Sequence, residues 1–298
     1  MKRTFMPVIL LAIIWGGYYV ASQKTVAALS VFSCGFAIRF FTSLLLLLRM
    51  AIRKELRQLL QVRFVWKTLL LIGLFGFLLD TTAFLGLATG SAATGTALLK
   101  TDVLMVCLIS SCVYRIHLTW KQWLCMLLML IGVFLVLNID LNELELFHIG
   151  NVFFLLSAFF VSLNAFAIRH AQQHPKNPVC DDVVAFYNNG VCMLLFLFAS
   201  IVSGQISQLH ILTQCRRSRL FLLLAVLGQT LVYIVYYYDL RRYPVWLVKV
   251  ILLLMPVVSS LICVVFFHET LYLIQLIGMA VILLGASGVL LSSRKVST

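Results

Sequence analysis

Acidic residues number only ten in 298, and charged residues of both signs make up 11% of the chain, against about a quarter in an ordinary soluble domain. That scarcity excludes a water-soluble globule and a highly charged disordered chain alike. Proline is also rare, with five residues, and no polar loop is long enough to fold as a domain of its own. A nucleotide-binding P-loop, a CxxC pair and an HExxH spacing are all missing, which leaves ATP hydrolysis and a metal site without a motif. The six histidines, at 117, 148, 170, 174, 210 and 268, form no cluster with a nucleophile or an acid. No enzyme, no metal and no cofactor is therefore expected.

What the chain has instead is apolar length: 62% of its residues are hydrophobic. They fall into ten runs, at 5–21, 32–50, 66–88, 92–114, 120–137, 149–167, 183–202, 220–240, 244–267 and 271–291. A helix rises about 1.5 Å per residue and the hydrocarbon core is about 30 Å thick, so each run is about the length that spans a bilayer. The sequence predicts an all-α polytopic membrane protein of ten transmembrane helices. The first run, behind Lys2-Arg3, is too long for a signal sequence, carries Trp15-Gly16-Gly17-Tyr18-Tyr19 and lacks a small-residue cleavage site, so it is expected to remain as a helix.

Lysine and arginine in short loops stay on the cytoplasmic side. With ten spans both termini share one side, which receives sixteen such residues, while Lys24, Arg216, Arg217 and Arg219 fall on the other. Both termini are thus expected in the cytoplasm. The net charge of +13 then reflects basic loops facing an anionic leaflet, with the lipid bilayer rather than nucleic acid as partner. Of eight cysteines, Cys34, Cys107, Cys112, Cys125, Cys192 and Cys263 lie in apolar runs, and Cys180 and Cys215 lie in loops on opposite sides. Free thiols are expected throughout.

Five spans repeated twice place the second copy upside down, the arrangement of many secondary transporters. An offset of 153 residues superposes Gly132 on Gly285 and aligns the hairpins that lead into the fifth and tenth runs. The repeats are read as residues 1–140 and 141–298.

The chain resembles the EamA family of the drug/metabolite transporter superfamily over nearly its whole length. The resemblance rests on Trp15-Gly16-Gly17, Phe36-Ala37-Ile38-Arg39-Phe40, Ala88-Thr89-Gly90-Ser91-Ala92, Met255-Pro256-Val257, Phe267-His268-Glu269-Thr270-Leu271, and Gly278 followed by Gly285. It implies two inverted five-helix repeats around a central cavity, with alternating access and export of small metabolites or drugs. The first repeat departs from the second at Ile116, opposite Glu269, and at Val103, opposite Pro256.

Ionisable side chains at membrane depth cost about 2.5–3.5 kcal/mol each and usually face a partner or water. Five candidates remain once the residues assigned to the loops are set aside: Arg39, Asp80, Lys100, Asp102 and Lys249. Asp80 and Lys100 lie ten residues either side of the Gly90 turn, so they share a depth and make a first pair. Lys100 and Asp102 point to nearly opposite faces of one helix, leaving Asp102 to look elsewhere, with Arg39 as a partner. This set either gates the outer half of the pathway or exchanges protons during transport, or it locks helices two, three and four together as a static network. Lys249 either snorkels to the interface or lines the cavity and attracts an anionic group. Trp15, Tyr18, Asn164, Asn188, Gln229 and Tyr233 complete the candidate cavity, and Pro256 is the candidate hinge. The expected protein is a secondary transporter in a plasma (inner) membrane, a monomer or homodimer, exporting a small metabolite, amino acid or drug-like compound. A lipid-linked flippase or a membrane scaffold is the alternative.

Overall fold

With no water to satisfy peptide groups, an apolar chain must close its hydrogen bonds within each segment, and helices do so. A computed structural model describes residues 6–26, 29–89, 98–137, 149–175, 178–210, 215–268 and 270–295. Its long elements are all helices: α1 (Met6–Val26), α2 (Val31–Ile52), α3 (Trp66–Thr89), α4 (Asp102–Cys112), α5 (Trp120–Val136), α6 (Ile149–Gln172), α7 (Asp181–Val202), α8 (Arg216–Arg242), α9 (Val245–Ile251), α10 (Met255–Phe267) and α11 (Leu273–Lys295). Among the described residues seven helical stretches are long and apolar enough to cross a membrane, α9 and α10 counting as one. The other three expected spans are shorter apolar helices, Met6–Tyr18, Asp102–Cys112 and Trp120–Val136. The first lies within the longer helix α1, where the side chains of residues 19 and 20 are outside the described ones, and the fourth is short because α4 begins only after a turn at Lys100 and Thr101. Large apolar side chains such as Leu48, Phe198, Leu223 and Leu284 are exposed, whereas Asn189, Ser33 and Asp239 are fully buried. Such an inside-out distribution suits lipid on the outside.

Two compact units divide the chain: one is Met1–Gly16, Leu79–Leu163 and Tyr243–Thr298, and the other is Gly17–Leu78 and Asn164–Arg242. In the first unit α5 and α11 run in opposite directions at very close range. A Cβ on Gly132 would stand 2.8 Å from the Gly278 carbonyl oxygen, and one on Gly278 would stand 2.7 Å from that of Gly132. Further along, Gly285 meets Met129 and the Cys125 carbonyl. Glycine is needed here because backbone faces backbone.

Conformations recur in this unit at the 153-residue offset. Arg115 and His268, the left-handed residues that follow α4 and α10, have φ of 52° and 55°. The backbone N–H of Thr119 donates to Gln122 Oε1 at 2.9 Å, and that of Tyr272 donates to Gln275 Oε1 at 2.9 Å, so α5 and α11 begin on the same back-bonded turn. The break before α4, at residues 99–101, matches the 3₁₀ turn Leu252–Leu254 that separates α9 from α10. Pro256 explains the second break: it has no N–H to return to the Leu252 carbonyl, and its ring crowds that carbonyl.

In the second unit α2 lies along α7. Ser33 Oγ and Ser200 Oγ are 2.9 Å apart, and Asn189 Nδ2 donates to the Arg39 carbonyl and to Ser43 Oγ, both at 2.7 Å. Gly35 lets the Phe196 ring press on the α2 backbone. Acid at the first turn of α7 suits the positive end of the helix dipole. There Asp182 accepts from Arg49 at 2.9 Å with Arg53 at 3.7 Å, and Asp181 accepts from Arg241 at 2.6 Å and from Gln172 at 2.8 Å. Gly204, at φ +69°, ends α7 in the left-handed region that favours glycine.

Candidate functional site

Lys249 does not snorkel. Its Nζ lies 2.9 Å from Asp102 Oδ2, with the two residues 4% and 8% exposed. Lysine sits on the last turn of α9, just before the 3₁₀ turn, and aspartate is the first residue of α4, just after the other break. The loosened turns matter because their backbone groups leave the regular helical ladder where the charges meet. Ser162 Oγ on α6 donates to the Asp102 carbonyl at 3.1 Å and to Ala158 at 2.8 Å, fixing the start of α4 to α6. Lys100 Nζ donates to Met255 Sδ at 3.7 Å, a weak acceptor for an ammonium, and the fields of Asp102 and Lys249 reach it. The first unit thus gathers two cations and an anion where two helices are interrupted. Asp80, half-buried on α3, is also engaged by neighbours. The Gly90 turn on which its expected pairing with Lys100 rests lies outside the described residues.

The second unit holds a separate polar cluster. Arg39 NH1 donates to Tyr233 Oη at 3.1 Å, and its guanidinium lies 5.1 Å from the Phe196 ring centre. Arg39 therefore has an aromatic setting, and the partner expected for Asp102 is supplied by Lys249 instead. Asn188 Nδ2 donates to Tyr237 Oη at 2.6 Å, and Tyr237 meets Tyr233 edge to face at 5.6 Å. Gly76 makes room for this cluster: a Cβ there would stand 2.7 Å from Cys192 Sγ, 2.9 Å from Asn188 Oδ1 and 3.5 Å from Asn164 Nδ2. The Oδ1 atoms of Asn164 and Asn189 are buried and accept no hydrogen bond from the described residues. Each such acceptor costs about 1–3 kcal/mol unless a donor reaches it.

The remaining expected residues are placed as follows. Trp15 is half-buried on α1, and Tyr18 packs against Gly228 of α8. Gln229 is buried on α8, and Pro256 is buried in the first turn of α10. Glu269, the 140/141 repeat boundary and the side chains of Tyr19 and Lys24 lie outside the described residues. The described cysteines are free. Outside the spans, burial raises the Cys180 thiol above its usual value, while hydrogen bonds from the Ser218 side chain and the Ser218 and Arg217 amides hold Cys215 below it. Sequence reasoning passed over Asp239, which falls at the end of the 220–240 run and is fully buried. An acidic residue one turn before a pair of arginines was the available signal.

Replacing Tyr237 with phenylalanine removes the acceptor of Asn188 Nδ2. Thermal unfolding in detergent should register a loss of about 1–3 kcal/mol, the cost of a buried unpaired amide.

The family model described as the EamA-like transporter family matches residues 4–138 and again 148–291. No curated protein matches the chain. A protein crystal structure 18% identical in sequence is similar over 98% of this chain and 98% of its own, with a TM-score of 0.77, which is a likeness of fold.

Proposed function

The chain belongs to the EamA-like transporter family, multi-pass membrane transporters of the drug/metabolite superfamily, and on that premise we propose that it is a secondary transporter exporting a small metabolite by alternating access. In this reading ten helices form two inverted repeats in a plasma membrane, with both termini in the cytoplasm. The observation that carries it is the buried Lys249–Asp102 pair at two helix breaks related by the 153-residue offset. Charges buried in a membrane protein mark a pathway more often than they reinforce a scaffold. Interrupted helices at such a place supply free backbone groups for a substrate and points about which a segment can bend. No nucleotide motif is present in the sequence, so the driving force is an ion gradient or the substrate's own.

Two measurements test this. Proteoliposomes loaded with a mixture of amino acids, nucleosides and amphipathic drugs should release at least one compound down its gradient, and Lys249→Met should abolish the release. Silence across all three classes would shift the reading to a lipid-linked flippase or a scaffold. The apolar groove lined by Phe32, Phe77, Leu195, Phe198, Ala199, Val202 and Ser203 offers only a serine to a lipid headgroup, which favours the metabolite. For orientation, a membrane-impermeant maleimide applied to intact cells should label Cys215, whose thiolate is the favoured one, and Cys215→Ser should remove the signal. Labelling at Cys180 from outside would invert the assignment.

A further inference from the structure

Asp239 is 0% exposed, and among the described residues neither of its carboxylate oxygens finds a hydrogen-bond donor. It stands on α8 one turn before the helix end, in a neighbourhood where other carboxylates are well supplied. Asp181 has Arg241 and Gln172; Asp182 has Arg49 and Arg53. The other described cations near this end of α8 are also engaged. Arg39 of α2 is bonded to Tyr233 and lies by Phe196; Arg169 of α6 donates to Gln173 Oε1 at 3.3 Å; His170 rests edge-on against His174. On α8 itself, Arg242 covers the Tyr238 ring at 4.2 Å. The other titratable groups on α8 near Asp239 are the tyrosines at 233, 236, 237 and 238, which carry no positive charge. Gln172, whose amide nitrogen is bonded to the Tyr237 carbonyl and to Asp181, has a buried Oε1 that likewise receives no donor. Among the described residues the site is therefore rich in acceptors and poor in donors.

An isolated ionised carboxylate in such surroundings is among the most expensive groups a protein can bury, and it neutralises instead by holding a proton. We propose that Asp239 is an exchangeable proton-binding site at the C-terminal end of α8, protonated while that end is closed and deprotonated when water enters. The proton leaves the carboxyl to water and returns from it, with no other bond made or broken. Opening is local: releasing Arg241 from Asp181 and from the Val179 carbonyl, which it also holds, frees the last turn of α8. Arg242, three residues along and on the same helical face, can then turn from Tyr238 to the newly charged carboxylate. The proposal deepens the transporter reading, on which its role in the transport cycle rests, because it gives the protein a place to couple proton movement to conformational change.

The test needs no substrate. Infrared spectra of the purified protein at neutral pH should contain a carboxylic C=O band that is lost in Asp239→Asn and moved, but kept, in Asp239→Glu. Transfer to heavy water should shift that band in the wild type within the time of a conformational cycle, seconds to minutes. Identical spectra for wild type and Asp239→Asn would overturn the proposal, as would a band that resists exchange for hours. Should Asp239→Asn fail to fold, the band displacement in Asp239→Glu decides alone. A band that behaves as expected in a protein that transports nothing would uphold the proton site and remove the transporter reading, so the two fail separately.

Discussion

Lys249→Met lowers the stability of the protein by about 3–5 kcal/mol, read as unfolding in a detergent and denaturant series, and abolishes transport. The stability loss follows from what remains rather than from what is removed. Deleting the hydrogen-bonded partner of a buried pair leaves Asp102 with only the more distant field of Lys100, and at 8% exposed it has no water to turn to. Asp102→Leu is expected to be similarly costly. The double variant is the decisive measurement, because replacing both members with apolar residues of similar size is often neutral or stabilising. Recovery of stability in Lys249→Met/Asp102→Leu without recovery of transport would show that the charges serve the pathway. Recovery of both would reduce them to a structural lock.

The second large effect is expected at the α5–α11 crossing. A side chain at Gly278 would approach the Gly132 carbonyl oxygen to 2.7 Å, the Val136 amide nitrogen to 2.7 Å and Leu135 Cβ to 2.8 Å. Two of those three are main-chain atoms that cannot rotate aside, so the helices must separate along the crossing. Gly278→Val should cost at least the roughly 1–3 kcal/mol of an overpacked core and reduce the folded yield severely. Gly190 of α7 supplies the control, since a Cβ there meets nothing within 4 Å. Gly190→Ala is expected to be neutral or to gain up to about 1 kcal/mol from helix propensity. Equal losses at the two sites would mean that the close approach is not what makes Gly278 necessary.

Depth was legible in the sequence; direction was not. Counting residues places Asp102 well inside an apolar run, and counting helical angles turns it away from Lys100. Neither count says which neighbouring helix it meets. Lys249 shows the same gap. Its distance from the end of the ninth apolar run is short enough to snorkel, and only the packing of α9 against α4 turns its ammonium inward. The interruptions at residues 99–101 and 252–254 were half visible, through Pro256 in the second repeat and nothing but Val103 in the first. Asp239 was hidden by its neighbours, because Arg241 and Arg242 make the end of α8 look like a solvated loop. The 153-residue offset was read from glycines and a hairpin, and it reappears in the left-handed Arg115 and His268 and in the paired glutamines that begin α5 and α11.

The short 3₁₀ turn between α9 and α10 acts as a screw thread. A 3₁₀ helix advances about 2.0 Å and turns about 120° per residue, against about 1.5 Å and 100° in an α-helix. Rewinding Leu252–Leu254 to α geometry would draw α9 and α10 together by about 1.5 Å and rotate one on the other by about 60°. That twist would swing the Lys249 ammonium by several ångströms while α10 stayed still. Pro256 favours the tighter pitch, because the Leu252 carbonyl accepts from the Met255 amide in the 3₁₀ turn and would find no donor at position 256 in an α-helix.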